Sequence, residues 1–305
     1  MQRNKMMSCK LLGILILSLC FCFTKVQAEQ VPDSSKVAII DKEAANPDFI
    51  HAYLLIVDAG KAFYSVSGHA AIRMVCAEKG LDYCFSFELD MDKSSYLDVF
   101  TRKAKAGFIP VQSGKFLDAY RQEGRGVRAY ELNLTPSEKQ NLWKKLDAES
   151  MEGSIWTFDC TSVNCMSMAL YAINSSVSPN MLKVAELPKE TQGSLSEWID
   201  NVAKRSPWIR ILMHMVLFSA DESQIKPEDL IMPEMMEQTM PCMVVVDSLG
   251  NTRKLMKGKP TELLPRVYED KPCPFSPAMA CSIFVLLLVL LIVAVKIQNK
   301  RKYSR

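Results

Sequence analysis

Nineteen consecutive uncharged residues from Pro277 to Val295, with IFVLLLVLLIVAV as their apolar body, constrain this chain more than any other stretch. A helix of about 20 apolar residues matches the roughly 30 Å hydrocarbon core of a bilayer. Residues 277–295 are therefore predicted to form a transmembrane helix. Lys296, Lys300, Arg301, Lys302 and Arg305 follow with no acidic residue, which predicts a basic cytoplasmic tail over 296–305. The other end carries Arg3, Lys5 and Lys10 ahead of an apolar run from Leu11 to Thr24, then Val26-Gln27-Ala28. That order is the signature of a secretory signal peptide over residues 1–28, cut after Ala28. The Leu-Ser-Leu-Cys ending at Cys20 resembles a lipobox only weakly, and cleavage is the preferred reading. Residues 29–274 are then expected to form an extracytoplasmic domain held to the membrane by one span.

The two ends also distort the charge. Nine of the 37 basic residues lie in them (Arg3, Lys5, Lys10, Lys25 and the five of the tail), leaving 28 against all 34 acidic ones. The domain is acidic although the whole chain carries +3, so nucleic acid is excluded as a partner on electrostatic grounds. Of ten cysteines, Cys9, Cys20, Cys22 and Cys281 belong to the apolar ends. Cys76, Cys84, Cys160, Cys165, Cys242 and Cys273 face an oxidising compartment. Cys76 and Cys84 flank the turn-like AEKGLDY, which predicts a disulfide across a hairpin. No CxxC or Cys/His metal spacing occurs, so neither metal nor cofactor is expected.

Within the domain, residues 52–59 read as a buried strand, residues 69–76 as a second opening at His69 after Gly68, and residues 83–89 as a third. A polar helix is expected over 94–106 and another over 115–123, then a strand over 127–134. Thr135-Pro136-Ser137-Glu138 combines an N-cap, a first-turn proline and the capping-box acid, which starts a helix running to about Ala148. Residues 174–188 read as loop. Ser194-Leu195-Ser196-Glu197 is a second capping box, residues 207–218 are apolar nearly all round and so either buried or in contact with lipid, residues 227–238 form a methionine-rich helix, and residues 243–256 a hairpin turning at Gly250-Asn251.

The stretch Trp156 to Ile173, WTFDCTSVNCMSMALYAI, places Asn164-Cys165 where a polar segment meets a helical run. A thiol at a helix N-terminus feels the positive end of the macrodipole, which favours the nucleophilic thiolate. Three histidines compete to be its base. His214 sits among Ile211, Leu212, Met213 and Met215, a structural or interfacial setting, and His51 precedes the first strand. His69, opening a strand after a serine-rich loop, is the candidate whose imidazole edge can be exposed. A Cys165/His69 pair allows imidazole to take the thiol proton and sulfur to attack a carbonyl.

Ser67-Gly68-His69-Ala70-Ala71-Ile72-Arg73, Phe116 to Tyr120 with Gly124-Arg125-Gly126-Val127, Leu132-Asn133-Leu134-Thr135, and Asn164-Cys165 occur in that order. Together with Lys226 to Ile231 they resemble the successive motifs of the Lnb-type lipoprotein N-acyltransferase family. The resemblance covers roughly residues 53–251. It implies an α+β, permuted papain-like (NlpC/P60-like) fold, an antiparallel sheet with flanking helices. It also implies N-acylation of the N-terminal diacylglyceryl-cysteine of a bacterial lipoprotein, with a membrane phospholipid as acyl donor, the diacylated lipoprotein as acceptor, and a thioester on Cys165 generated with His69 as base. Cys160, five residues earlier, can be aligned to the same motif and is the alternative nucleophile. Ser86 and Glu88 share a strand face and are the candidates to orient the imidazole. Arg73 shares a face with His69 and is a candidate phosphate ligand or a surface ion pair; Asn164 is a candidate orienting or substrate-binding residue. Met232, Met235, Met236 and Met240 are candidates for an acyl path or for core, with core preferred. Two other functions compete: a cysteine hydrolase of the same fold acting on peptidoglycan, peptides or lipids, and a non-catalytic, membrane-anchored assembly module in which His69 and Cys165 lie apart.

Overall fold

A computed structural model of the chain describes residues 49–60, 65–151, 153–160, 162–185, 195–203, 207–217, 233–267 and 275–303. The signal-peptide region, the Ser194 cap, the Lys226 to Ile231 motif, Met232 and Cys273 lie outside the described residues. In chain order the elements are β1 (Ile50–Val57), β2 (His69–Cys76), β3 (Leu81–Leu89), α1 (Tyr96–Phe100), β4 (Lys105–Gln112), α2 (Ser113–Glu123), β5 (Val127–Glu131), α3 (Pro136–Met151), β6 (Trp156–Thr157), α4 (Cys165–Ser176), β7 (Met181–Val184), α5 (Leu195–Val202), α6 (Pro207–Leu217), α7 (Pro233–Thr239), β8 (Met243–Val246), β9 (Thr252–Lys254), β10 (Thr261–Leu264) and α8 (Pro277–Tyr303).

The result is a mixed α and β architecture around a seven-stranded sheet of order β10-β5-β1-β2-β3-β4-β6, antiparallel throughout. Alternation along the central strands sends residues to two apolar layers. Leu54 and Ile56 of β1 with Ala70, Ile72 and Met74 of β2 pack against Trp143 and Leu146 of α3 and Met166, Ala169 and Ile173 of α4. Leu55, Val57, Ala71 and Cys84 face the other way, against Phe116 and Tyr120 of α2. Helices thus cover both faces, and the burial of these large side chains contributes about 1.5–3 kcal/mol each. A second, three-stranded sheet of order β7-β8-β9 contains the expected hairpin, its turn closed by Asp247, whose carboxylate accepts from the Asn251 and Leu249 amides at 2.8 and 2.9 Å.

Several expectations are corrected. The helix expected over 94–106 stops after one turn: Ser95 and Asp98 form its capping box, but Arg102 adopts φ 55° and the Lys103 and Ala104 amides turn back onto the Asp98 carbonyl. The chain then enters β4, which Gly107 and Pro110 conceal in the sequence. Beyond Ala106 that strand has β3 as its one neighbour among the described residues, so Pro110 sits where no ladder donor is required. Residues 181–184, read as loop, add a strand to the β8–β9 hairpin. The Cys76–Cys84 disulfide does not form, and both thiols are free. The β2–β3 register sets Cys84 opposite Arg73, three residues from Cys76 along β2. The two sulfurs consequently point to opposite faces of the sheet, Cys76 into one apolar layer and Cys84 into the other. Burial pushes the Cys84 thiol up to about 12, with Ser113 Oγ at 3.3 Å. Met236 and Met240 are fully buried, so they belong to the core.

The first strand pair also explains how β2 starts. Gly68 has φ 81°, and a Cβ there would meet the Val57 carbonyl oxygen at 2.7 Å. Gly68→Ala is expected to lower stability by about 1–3 kcal/mol, through the left-handed backbone and that contact. It should also displace the residue that follows, His69. Thermal unfolding of the variant checks the first effect, and an unchanged Tm would contradict it.

The C-terminal helix carries the predicted span: residues Pro277–Ile297 are long and apolar enough to cross a membrane and none of that window is buried. The helix continues through the basic residues to Tyr303.

Candidate active site

The described part of the site gathers at the end of the sheet where β2 begins and β3 ends. Asn164 caps α4: its side-chain oxygen accepts from the Met166 and Ser167 amides, each at 3.0 Å, and Ser167 Oγ accepts from the Asn164 amide at 2.9 Å. The Asn164 side-chain Nδ2 donates to the Cys160 carbonyl at 3.0 Å. This reciprocal cap follows the Asp159–Val163 bridge and makes Cys165 the first residue of the helix. Buried Met166, Met168, Ala169, Ala172 and Ile173 then hold α4 on the sheet.

His69 reaches the same place from β2. Its Nε2 lies 2.7 Å from Ser86 Oγ, Ser86 Oγ donates to Glu88 Oε1 at 2.5 Å, and the Glu88 oxygen is itself 3.3 Å from Nε2. Since the serine proton is committed to the carboxylate, Nε2 must donate to the serine oxygen. In a neutral ring the basic nitrogen is then Nδ1. The alternation of β3 supplies this relay, setting Ser86 and Glu88 on the face of their strand that His69 shares. Burial pulls the His69 pKa down, but the Glu88 carboxylate, then the charge of and a hydrogen bond with Cys165, outweigh it and raise the imidazole from 6.5 to about 10. Burial pushes Glu88 up, and the His69 charge with the hydrogen bonds from His69 and Ser86 overcomes it, leaving the carboxyl below its ordinary 4.5. The chain therefore brings a helix-start cysteine, an imidazole and a hydroxyl–carboxylate relay into one electrostatic unit.

Other predicted residues fall elsewhere. Cys160 lies in the turn before the cap, where burial first and the Asp159 carboxylate second push its thiol up, away from the nucleophilic form. Arg73 forms the ion pair that is one of its two readings: its Nε and Nη2 donate to the two Asp82 oxygens at 2.8 and 2.6 Å, and it lies over the Tyr53 ring. His51 stands 3.5 Å from Glu131 on the surface, and His214 is 2.9 Å from Asp200.

Two residues quoted for the motif resemblance, but given no role from it, complete the setting. The Tyr120 ring stacks on His69 with centroids 6.3 Å apart. Burial, with Glu88 as the next cause, raises its phenol well above the ordinary value. Arg125 lies over the same Tyr120 ring, 4.8 Å from its centroid, donating from Nε to the Asp58 carbonyl at 2.7 Å and from Nη1 to Glu123 at 3.0 Å. The αL turn at Gly124 that ends α2 brings both side chains back over the sheet end. An arginine and a tyrosine bracketing a helix-ending glycine are the signal the sequence offers. Nearby, Arg128 is paired with Asp58 at 2.5 Å and with Glu237 of α7, which ties α7 to the strands beside the site.

A family model described as the Lnb N-terminal periplasmic domain matches residues 39–197. The chain belongs to this family. The match spans more than half of the chain, and His69, Ser86, Glu88, Tyr120, Arg125, Cys160 and Cys165 all lie within it. No curated protein and no solved structure matches the chain. Membership in the Lnb family, a periplasmic domain, is consistent with an enzyme; with the exposed C-terminal apolar helix it fits a single-pass membrane protein.

Proposed function

We propose that the protein is a lipoprotein N-acyltransferase of the cytoplasmic membrane, with a permuted papain-like domain on the periplasmic side. The observation that carries this reading is the coupling of His69 to Cys165 on one side and to Ser86 and Glu88 on the other, in a Lnb-family chain that ends in an apolar helix. His69 Nδ1 takes the Cys165 thiol proton and the sulfur attacks an ester carbonyl of a phospholipid. The carbonyl re-forms as the C–O bond to the lysolipid breaks, and the imidazolium returns its proton to the departing alkoxide. The acyl chain now sits on sulfur as a thioester. The α-amino group of a diacylglyceryl-cysteine attacks it, giving up a proton to His69 as the amide forms and the thiol is released. Ser86 and Glu88 hold the ring in the tautomer that leaves Nδ1 basic, and Glu88 stabilises the imidazolium. Tyr120 shields one ring face from water, which favours aminolysis of the thioester over hydrolysis.

The test is direct. Full-length protein incubated in vesicles with phospholipid and no lipoprotein acceptor should gain one acyl mass on Cys165, removable by neutral hydroxylamine. An unmodified protein, or an acyl group on Cys160, would overturn the proposal. Release of free fatty acid at the same rate with and without acceptor would instead assign a lipid hydrolase.

A further inference from the structure

Helix α6 turns the wrong side to solvent for a surface helix of a soluble domain. Its inward side is formed by Met213, which is buried, and half-buried Ile209, four residues apart. The opposite side should carry charge. Instead it carries Trp208, Ile211 and Met215, which are 43, 43 and 70 % exposed and recur three and then four residues apart, hence on one stripe. The polar residues Arg210 and His214 occupy a flank, where Asp200 of α5 lies 3.7 and 2.9 Å from them.

What lies opposite this stripe is indicated by its first residue. The Trp208 indole nitrogen donates to the Phe275 carbonyl at 2.7 Å, and the two rings stack with centroids 6.1 Å apart and 20° between planes. Phe275 precedes by two residues Pro277, where the apolar span begins. The beginning of α6 is thus pinned at the level where α8 would leave the hydrocarbon. Aromatic residues concentrate at that boundary, where an apolar ring with a polar handle is best solvated.

We propose that α6 is an interfacial helix, lying in the outer headgroup layer of the bilayer that α8 spans, with Trp208, Ile211 and Met215 immersed and Met213 facing the domain. The partner is the phospholipid leaflet itself. An amphipathic helix in this position enters the boundary by about 5–10 Å and holds the domain against the membrane rather than on a free tether. The inference rests on α8 crossing a bilayer and not on the acyl-transfer reading, since it holds whatever reaction the site performs.

The test uses the full chain reconstituted in vesicles of phosphatidylcholine and phosphatidylglycerol, with bromine placed high on the acyl chains as a contact quencher. In a Trp208→Phe background, tryptophan is introduced by Met215→Trp or, as a second position on the stripe, Ile211→Trp, with Asn141→Trp on the exposed side of α3 as control. The emission added at 215 and 211 should be largely lost in brominated vesicles and retained in unbrominated ones, whereas emission added at 141 should be unchanged. Retained emission at both stripe positions, or equal loss at position 141, would overturn the proposal.

Discussion

Cys165→Ala should abolish acyl transfer, with a loss on the order of a millionfold, the scale on which removing a covalent nucleophile acts. Cys160→Ala should leave most of the activity. The two thiols are five residues apart but differ in every relevant physical respect. Cys165 starts a capped helix and interacts with His69. Cys160 sits in a turn where burial and Asp159 hold its proton on, and its carbonyl serves as acceptor for the Asn164 side chain. Activity measured as acyl group transferred per enzyme in vesicles separates them. Retention by Cys165→Ala together with loss in Cys160→Ala would move the nucleophile to position 160 and leave the histidine relay without a partner.

Glu88→Gln should move the alkaline limb of activity to lower pH and reduce turnover by about 10²-fold, the usual scale of a lost general acid–base contribution. Glu88 is the leading group that raises His69 to about 10. Without it the imidazolium that must protonate the leaving alkoxide is lost at a lower pH. The same coupling bears on stability. The folded-state pKa of His69 lies above its ordinary 6.5, so its contribution is fully present below about 6.5 and disappears as pH rises through about 10. Glu88 is held below its ordinary 4.5, so its contribution is present above 4.5 and is lost as pH falls through the lower value. The pair stabilises the fold most between those two ordinary values. Glu88→Gln should therefore lower Tm more at pH 5.5 than at pH 10, a comparison made by thermal unfolding at the two pH values. A pH-independent Tm difference, with an unmoved alkaline limb, would contradict the coupling.

Much of this site is legible in the sequence because it depends on local rules. The Gly68-His69 step, with its left-handed glycine, marks the start of β2, and the observed strand runs over the same residues, 69–76. Asn164 before an apolar helical run marks a cap, and the helix begins at Cys165. Period-two alternation is enough to put Ser86 and Glu88 on one face. The failures share a different cause, which is that they depend on register between segments. Cys76 and Cys84 have a hairpin-like spacing, yet the side each sulfur takes follows from which β2 residue lies opposite Cys84, and that residue is Arg73. Register also decides what Arg73 meets: of its two readings, the ion pair is the one seen, with Asp82 as a partner that the sequence spacing alone does not single out. Strand β4 is hidden because glycine and proline suppress its pattern at a place where only the edge position makes them harmless. Tyr120 and Arg125 lie on α2 and in the turn after it, and nothing in the spacing between them and His69 foretells that a helix on the second face of the sheet ends over the imidazole.

On the proposed reading, a membrane-spanning α8 and a lipid-facing α6 bear on the reaction from outside the site. A lipid donor and a lipid-modified acceptor both reside in the membrane, so an enzyme held against that surface meets them at a high effective concentration. A peptide-cleaving hydrolase with an open, polar cleft would gain less from the arrangement.

The measurement that reaches furthest is the N-terminal state of lipoproteins in a bacterium depleted of its own lipoprotein N-acyltransferase and expressing this protein. Mass spectrometry of the lipopeptides should show one added N-linked acyl chain with the wild type and none with Cys165→Ala or His69→Ala. Lipoprotein N-termini that stay unacylated with well-expressed wild-type protein would contradict the assignment.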